Sequence, residues 1–357
     1  MVEPPRPAFR IPIELLGARM LVRTGSPELA ALLRHDLGSF VVTGSAATGE
    51  GWEGTAFDAG GDAAPGLSPE QLFARIFEAL LDRVAGFAVL HAGAVAHAGR
   101  AWLLAGPSGA GKTTLTLALL ERGFPLLSDD FAPLALATGL VHPFPKSLGV
   151  REGPGHDTAA RLTEKRGRAT LHASDWEPAP LPLGGVLLFD GCDAAPTPRE
   201  PFLWRVACVA DPGPLIDRLA ALPGVALAAR DGDGFLLTVD PVATDHAALA
   251  SVLDAARDVV VEHGTAGTAP PPDRAAAVRP IDPVRALFLL LREVQNRRPQ
   301  GALMRRLGGD TGRLAAELGA LLAGRRLGWL ITGAPDATAE AADRWIRAAA
   351  ATSADLA

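Results

Sequence analysis

The feature that most limits how this chain can fold is a glycine-rich loop, Gly106-Pro107-Ser108-Gly109-Ala110-Gly111-Lys112-Thr113, which matches G-x-x-x-x-G-K-[ST] in full. The apolar run at 102–105 predicts a strand before the loop, and the pattern at 112–122 predicts a helix after it. The segment Leu126-Leu127-Ser128 predicts a buried strand that ends at two carboxylates. Because strand, glycine loop, helix and strand form the first half of a P-loop core, the predicted fold class is α/β.

The residue types of this loop suit the phosphates of a nucleotide. Glycines let the backbone turn its N–H groups toward phosphate oxygens, and the following helix adds the positive end of its dipole. Lys112 can reach the β and γ phosphates, and the Thr113 hydroxyl can bind Mg²⁺, so we expect ATP and Mg²⁺ as cofactors. The predicted nucleotide-binding residues are Gly106, Pro107, Ser108, Gly109, Ala110, Gly111, Lys112, Thr113 and Thr114.

Two adjacent carboxylates follow the loop at short range. Asp129 lies 17 residues after Lys112, directly before Asp130, on the strand after the loop helix. Neighbouring residues at a strand end point in different directions, so one carboxylate can serve Mg²⁺ while the other takes a proton from an acceptor hydroxyl. The alternative is a helix cap or a solvated turn. His91, 21 residues before Lys112, should lie on the strand beside the loop strand, where it either tunes an aspartate or is a buried histidine without a chemical role.

Three segments together resemble a known family. They are Leu90-His91-Ala92-Gly93-Ala94-Val95, the glycine loop, and Arg122-Gly123-Phe124-Pro125-Leu126-Leu127-Ser128-Asp129-Asp130. They are similar to the catalytic domain of bacterial HPr serine kinase/phosphorylase, and more closely to the HPr-kinase-related proteins found with peptide natural-product biosynthesis. The resemblance spans 87–135 and extends more loosely to 190. It implies a P-loop kinase core related to ATP-dependent phosphoenolpyruvate carboxykinase.

The resemblance also implies roles for individual residues. In that family an aspartate of the pair acts as the base and the histidine supports it, which implies Asp129 as base, His91 as its partner and Asp130 as the metal-side carboxylate. The nearest match to a further acidic residue of the family is Glu152, in Val150-Arg151-Glu152-Gly153. The N-terminal segment does not match that of the parent enzyme, so HPr itself is not the expected acceptor.

A cation is expected near the migrating phosphoryl group, because its charge stabilises the transition state. Lys146, in Pro143-Phe144-Pro145-Lys146, follows the carboxylate strand by a short stretch of sequence and is the best candidate for this cation. The alternative is a solvated basic loop. The predicted catalytic residues are thus Asp129, His91, Lys112 and Lys146, and the predicted metal ligands are Thr113, Asp130 and Glu152.

The pattern along the chain predicts several units. They are an N-terminal α/β module at 1–66, a P-loop kinase domain at 67–264, a linker rich in Pro and Ala at 265–281, and a C-terminal helical region at 282–357. Within the second unit, a strand-helix-strand-strand-helix run at 205–261, whose last helix is predicted over 245–261, is either an insert that selects the substrate or the far side of the sheet. Ser26 is a predicted helix N-cap, and Ser68-Pro69-Glu70-Gln71 has the capping pattern that opens an amphipathic helix. Leu and Ala stripes in the last unit fit core or subunit contacts, which leaves a homo-oligomer open.

The composition of the chain limits the classes of partner that it is expected to bind. The net charge of −6 argues against nucleic acid, whose binding usually needs a basic face. No apolar run approaches the roughly 20 residues of a membrane span, and the start lacks the pattern of a secretory signal, so a cytoplasmic protein without a membrane partner is expected.

The resulting functional prediction is a kinase that moves the γ-phosphoryl group of ATP to a hydroxyl, with Ser or Thr of a peptide or protein, such as a biosynthetic precursor peptide, as the favoured acceptor. Two alternatives stay open. One is a kinase for a small hydroxylated metabolite, and the other is a nucleotide-dependent binding or assembly protein without phosphoryl transfer. Whether the reverse, phosphorylase reaction occurs is also open.

Overall fold

The structure is a computed structural model that describes residues 9–43, 52, 56–59, 68–107, 110–146, 148–149, 162–165, 168–171, 175–190, 202–208, 211–231, 234–240, 243–256, 259–265 and 274–354. Over these residues the chain is mixed α/β with several sheets, which agrees with the predicted fold class. Within the same residues, no helix combines the length and the hydrophobicity that crossing a bilayer requires.

The N-terminal elements form a small sheet with two helices against it. They are β1 (Phe9–Leu15), β2 (Ala18–Thr24), α1 (Pro27–Asp36), a 3-10 turn (Gly38–Phe40), β3 (Ala56–Ala59) and α2 (Pro69–Leu81). Helix α2 starts with a capping box, in which Ser68 and Gln71 exchange side-chain-to-backbone hydrogen bonds. Leu72, Ile76 and Leu80 of α2 share one hydrophobic core with β1, β2 and α1. This core therefore extends past the predicted module boundary at residue 66.

The next elements surround the glycine loop. They are β4 (Phe87–His97), β5 (Arg100–Ala105), α3 (Lys112–Glu121), β6 (Leu126–Ser128), β7 (Phe131–Ala135) and β8 (Leu140–Val141). Strand β4 pairs antiparallel with β5, β6 and β7. The prediction that the His91 strand runs beside the loop strand is therefore confirmed. Strands β4 and β5 are buried along most of their length, as expected for the centre of a sheet.

Two further sheets lie downstream. The first contains β9 (Leu148–Gly149), β10 (Leu162–Lys165) and β11 (Arg168–Leu171), after which β12 (Leu181–Phe189) returns to the central sheet parallel to β5. The strands of the second sheet are β13 (Phe202–Cys208), β14 (Val225–Asp231), β15 (Gly234–Val239) and β16 (Val260–Thr265). Helices α4 (Gly213–Ala220) and α5 (His246–Asp254) share one hydrophobic core with this sheet.

One helix of the second sheet unit was predicted too long. A helix was expected over 245–261, but α5 ends at Asp254 and the chain enters β16, which pairs antiparallel with β13. The residues Val259-Val260-Val261 explain the difference, because β-branched side chains favour strands over helices.

The C-terminal region adds both strands and helices. They are β17 (Ala277–Pro280), α6 (Pro283–Arg292), α7 (Ala302–Arg306), α8 (Thr311–Leu322), β18 (Arg326–Ile331) and α9 (Pro335–Ala354). Strand β18, in the region predicted to be helical, pairs parallel with β12, and β17, in the predicted linker, pairs antiparallel with β18. Residues 266–273 of that linker lie outside the described residues.

The central sheet therefore has the order β17-β18-β12-β5-β4-β7-β8, with β6 also on β4. Helices α6 to α9 and α3 contribute to one hydrophobic core around this sheet. The predicted boundary at 265–281 thus does not separate two cores. In the parallel trio β18, β12 and β5, the glycine loop follows the carboxyl end of β5, which is where α/β sheets usually bind ligands.

Candidate functional site

The glycine loop joins β5 to α3. Gly111 caps α3 with φ near +92°, a left-handed conformation that glycine adopts without strain. Lys112, 6% exposed, folds its side chain back so that Nζ donates to the Gly106 carbonyl at 2.7 Å and the Pro107 carbonyl at 3.1 Å. The lysine ammonium is thus hydrogen-bonded within the glycine loop itself. Ser108 and Gly109 lie outside the described residues.

Asp129 and Asp130 occupy the tip of a tight turn between β6 and β7. The Ser128 hydroxyl holds the turn, because it donates to the Phe131 carbonyl at 2.6 Å and accepts from the Phe131 N–H at 3.0 Å. The Asp130 carbonyl also accepts from the Ala92 N–H of β4 at 3.2 Å. The backbone of both carboxylates is therefore fixed against the strand that carries His91.

Asp129 faces the glycine loop. Its Oδ2 accepts a hydrogen bond from the Thr113 hydroxyl at 3.1 Å. The residue is 5% exposed, and its Oδ1 is buried without a hydrogen-bond partner among the described residues. Burial raises the pKa of Asp129 to about 7, and the neighbouring charge of Asp130 adds to the rise, while Thr113 and the two lysines oppose it. The surroundings of Asp129 therefore disfavour its ionised form.

Asp130 has a different environment. Its side chain is 34% exposed, and its Oδ2 lies 3.3 Å from Nζ of Lys146. Burial acts to raise the pKa of Asp130, but the charges of Lys146, His91 and Lys112 outweigh it and hold that pKa below its ordinary value. Asp130 is therefore the ionised carboxylate of the pair, and it is reachable from solvent.

Lys146 is placed by an aromatic cluster. Its ammonium lies 5.2 Å from the centroid of the Phe131 ring, at the geometry of a cation–π contact. Just before it, the N–H of Phe144 donates to the Leu127 carbonyl at 2.7 Å, which ties this segment to β6. Phe144 is buried and its ring lies 5.8 Å from that of Phe131. The lysine thus reaches the carboxylates from a fixed segment.

His91 meets a residue that the sequence did not predict. Its Nδ1 lies 3.4 Å from Oε2 of Glu293, and its backbone N–H donates to the Glu293 carbonyl at 2.7 Å. Glu293 follows α6, 202 residues further along the chain, and the segment behind it is held by buried Asn296, which binds the backbone of Val84, Phe87 and Val89. No local motif marks Glu293, so the sequence alone carries no signal for it.

Close packing fixes α3 over β4. A Cβ at Gly93, two residues after His91, would lie 2.5 Å from the hydroxyl of Thr116 on α3 and 3.4 Å from the Asp129 carbonyl. The Thr116 hydroxyl donates to the Lys112 carbonyl at 2.8 Å. Glycine at position 93 therefore allows the loop helix and the carboxylate turn to approach the same point of the sheet.

The structure brings together Thr113, Asp129, Asp130, Lys146, His91 and Lys112 of the predicted site. The contacts pair the carboxylates differently from the resemblance. Asp129, expected beside His91, contacts Thr113, whereas Asp130, expected on the metal side, contacts Lys146 and is the one whose charge interacts with His91. Glu152 lies outside the described residues.

Among the described residues, no group of three or more His, Cys, Asp or Glu side chains forms a metal cage. Mg²⁺ usually takes one or two carboxylates together with phosphate oxygens and water, so Asp129 and the Thr113 hydroxyl fit its requirements. Neither a protein-family model nor a curated protein matches the sequence. The roles of these residues are therefore argued from their geometry.

Proposed function

We propose that this protein is an ATP- and Mg²⁺-dependent kinase with a P-loop core of the HPr kinase type. The observation that carries the proposal is the turn between β6 and β7, which presents two carboxylates in different environments. Asp129 faces the loop threonine, and Asp130 faces solvent beside Lys146. A protein that only binds a nucleotide needs one metal carboxylate, whereas phosphoryl transfer also needs a group for the acceptor hydroxyl.

The donor side is formed by the glycine loop. The loop amides and Lys112 bind the phosphates of ATP, with the lysine exchanging the carbonyls of Gly106 and Pro107 for phosphate oxygens. Thr113 and Asp129 hold Mg²⁺, and the orphan Oδ1 of Asp129 is a free ligand atom for it. When bound, Mg²⁺ supplies positive charge that neutralises the phosphate oxygens.

The acceptor side is formed by Asp130. The acceptor oxygen forms a bond to the γ phosphorus while the bond from that phosphorus to the β–γ bridging oxygen breaks, which yields ADP and a phosphomonoester. The hydroxyl proton passes to Asp130. The low pKa of Asp130 is compatible with this role, because a loose transition state puts little negative charge on phosphorus and the hydroxyl loses its proton late.

Lys146 positions Asp130 by direct contact, and the charges of Lys146 and His91 balance that of Asp130. The exposure of Asp130 favours an acceptor that arrives from solvent on a flexible chain, as a Ser or Thr side chain of a peptide or protein does. A cytoplasmic location agrees with the use of ATP.

The test is transfer from γ-labelled ATP. The purified protein is incubated with labelled ATP, Mg²⁺ and two pools from a cell extract, one of peptides and proteins and one of small molecules. We expect label in the peptide pool. Label in the small-molecule pool alone would instead indicate a metabolite kinase.

Two variants test whether the transfer of label takes place at this site. They are Asp130→Asn and, as an exposed control on α4, Asp217→Asn. We expect Asp130→Asn to transfer at least a hundredfold more slowly while it still binds ATP, and Asp217→Asn to act like wild type. If Asp130→Asn transferred at the wild-type rate, or wild type released label only as inorganic phosphate, the proposal would be wrong.

A further inference from the structure

A second cavity lies at the opposite end of the central sheet from the glycine loop. It has a volume of about 290 Å³ and is lined by Arg100, Trp102, Gly184, Arg325 and Arg326, among others. Arg100 begins β5 and Arg326 begins β18, so the cavity opens at the amino ends of two parallel strands whose carboxyl ends face the loop side. This position separates it from the proposed kinase site.

A local irregularity of β12 makes room for the cavity. The register between β12 and β5 shifts between Leu183 and Gly185, which leaves Gly184 as an extra residue in the strand. A Cβ at Gly184 would lie 3.0 Å from both Cβ of Arg100 and Cε2 of Trp102. The glycine therefore leaves space for the arginine and the indole that line the cavity.

All the charged residues that line the cavity are positively charged. Its lining contains three arginines and no carboxylate, and among the described residues none of the three forms an ion pair. The Arg325 Nε–H donates only a long bond to the Leu321 carbonyl, at 3.4 Å, and the guanidinium of Arg326 lies 5.1 Å from the ring centroid of Trp345 on α9. Among the residues that the structure describes, these are the contacts found for the Arg325 and Arg326 guanidinium groups, and neither is an ion pair.

Two acidic residues of α9 form ion pairs within their own helix. Glu340 and Asp343 contact Arg344 and Arg347 of the same helix, at i,i+4 spacing. Three guanidinium groups around one cavity repel one another unless an anion lies between them. The planar fork of arginine matches the oxygens of a phosphate group in pairs, better than a lysine does.

We propose that this cavity, the arginine pocket formed by Arg100, Arg325, Arg326, Trp102 and Gly184, binds a small phosphate-bearing anion. Its volume is close to the lower limit of small-molecule sites, so the ligand is inorganic phosphate or a small phosphorylated metabolite rather than a macromolecule. The pocket does not depend on the proposed kinase reaction, since it shares no residue with the glycine loop or the carboxylate turn.

The test is calorimetric titration of inorganic phosphate into the Lys112→Ala variant, in which phosphate binding to the glycine loop is weakened. Arg100→Gln combined with Arg326→Gln is compared with Arg279→Gln, an exposed arginine on β17 outside the pocket. We expect the double variant to bind phosphate at least tenfold more weakly than its Lys112→Ala parent, and the control to stay within twofold. Equal affinity in the double variant and the parent would overturn the proposal.

Two further measurements complete the test. Arg325→Gln alone provides a second pocket variant if the double variant does not fold. It should also bind phosphate more weakly than the Lys112→Ala parent, and equal affinity would overturn the proposal. A parallel titration with glycerol 3-phosphate distinguishes the sources of the phosphate group. Binding tighter than that of inorganic phosphate indicates a phosphorylated metabolite, and weaker binding indicates the free ion. Failure of both probes to bind would also overturn the proposal.

Discussion

Replacing Asp129 with Asn should stabilise the protein at alkaline pH in the absence of Mg²⁺ and nucleotide. Burial raises the pKa of this carboxyl from 3.8 to about 7, so ionisation is costlier in the folded than in the unfolded chain. The stabilising contribution of the protonated carboxyl is complete below pH 4 and is lost as the pH rises through 7. Asparagine has the same shape and no charge, so it does not incur this loss.

The size of the effect follows from the shift. A pKa raised from 3.8 to about 7 corresponds to about 4 kcal/mol, since each tenfold change in the ionisation constant is about 1.4 kcal/mol. Loss of part of the Thr113 hydrogen bond offsets about 1 kcal/mol of that gain. The melting temperature of Asp129→Asn should therefore exceed that of wild type by about 3–8 °C at pH 8 and should fall slightly below it near pH 4, where only the weaker Thr113 hydrogen bond separates the two proteins.

The assay is thermal unfolding in EDTA across this pH range, followed by circular dichroism. Asp130→Asn is the matched control, because the pKa of that carboxyl is lowered and its charge contacts Lys146. It should melt below wild type at pH 8. An Asp129→Asn variant that melts lower than wild type at pH 8, or whose difference from wild type does not change with pH, would refute the assignment of Asp129 as a buried carboxyl with a raised pKa.

Three other predictions concern the surroundings of the site. Lys146→Met removes a charge that lowers the pKa of Asp130, so the acid limb of the rate profile for transfer should move to higher pH; an unchanged profile would show that Asp130 does not take the proton. Gly93→Ala places a Cβ 2.5 Å from the Thr116 hydroxyl and should cost about 1–3 kcal/mol in urea unfolding, with partial recovery when Thr116→Ala is added; no recovery would contradict the clash. Asn296→Ala removes buried hydrogen bonds to three backbone groups and should cost about 2–4 kcal/mol, whereas exposed Gln295→Ala should cost under about 0.5 kcal/mol; similar costs for the two would argue against that role.

The sequence allowed good prediction of features that depend on neighbouring residues. The capping box at Ser68 and Gln71 and the Ser26 cap of α1 follow from local hydrogen bonding, and both are present. The order of strand, glycine loop, helix and carboxylate strand was also predicted, because each step has its own pattern of apolar and glycine residues.

The features that were missed depend on contacts between distant parts of the chain. Strand β18 is short and lies between two helices, in a region predicted to be largely helical, and its pairing with β12 joins residues far apart in the chain. The contact between His91 and Glu293 arises only because the segment after α6 pairs with β4. The contacts of Asp129 with Thr113 and of Asp130 with Lys146 depend on the direction in which a tight turn points two adjacent side chains. The order of residues in the sequence does not specify that direction.

The measurement that tests the central proposal most directly is equilibrium binding of ATP, with Mg²⁺ and with EDTA, to wild type and to Lys112→Ala. Lys112 contributes charge-assisted hydrogen bonds of about 1.5–3 kcal/mol each, so its loss should weaken binding about tenfold to a hundredfold. Asp129 should make wild-type binding tighter in Mg²⁺ than in EDTA. Equal affinity of wild type and Lys112→Ala for ATP, with no effect of Mg²⁺, would contradict a nucleotide site in this loop.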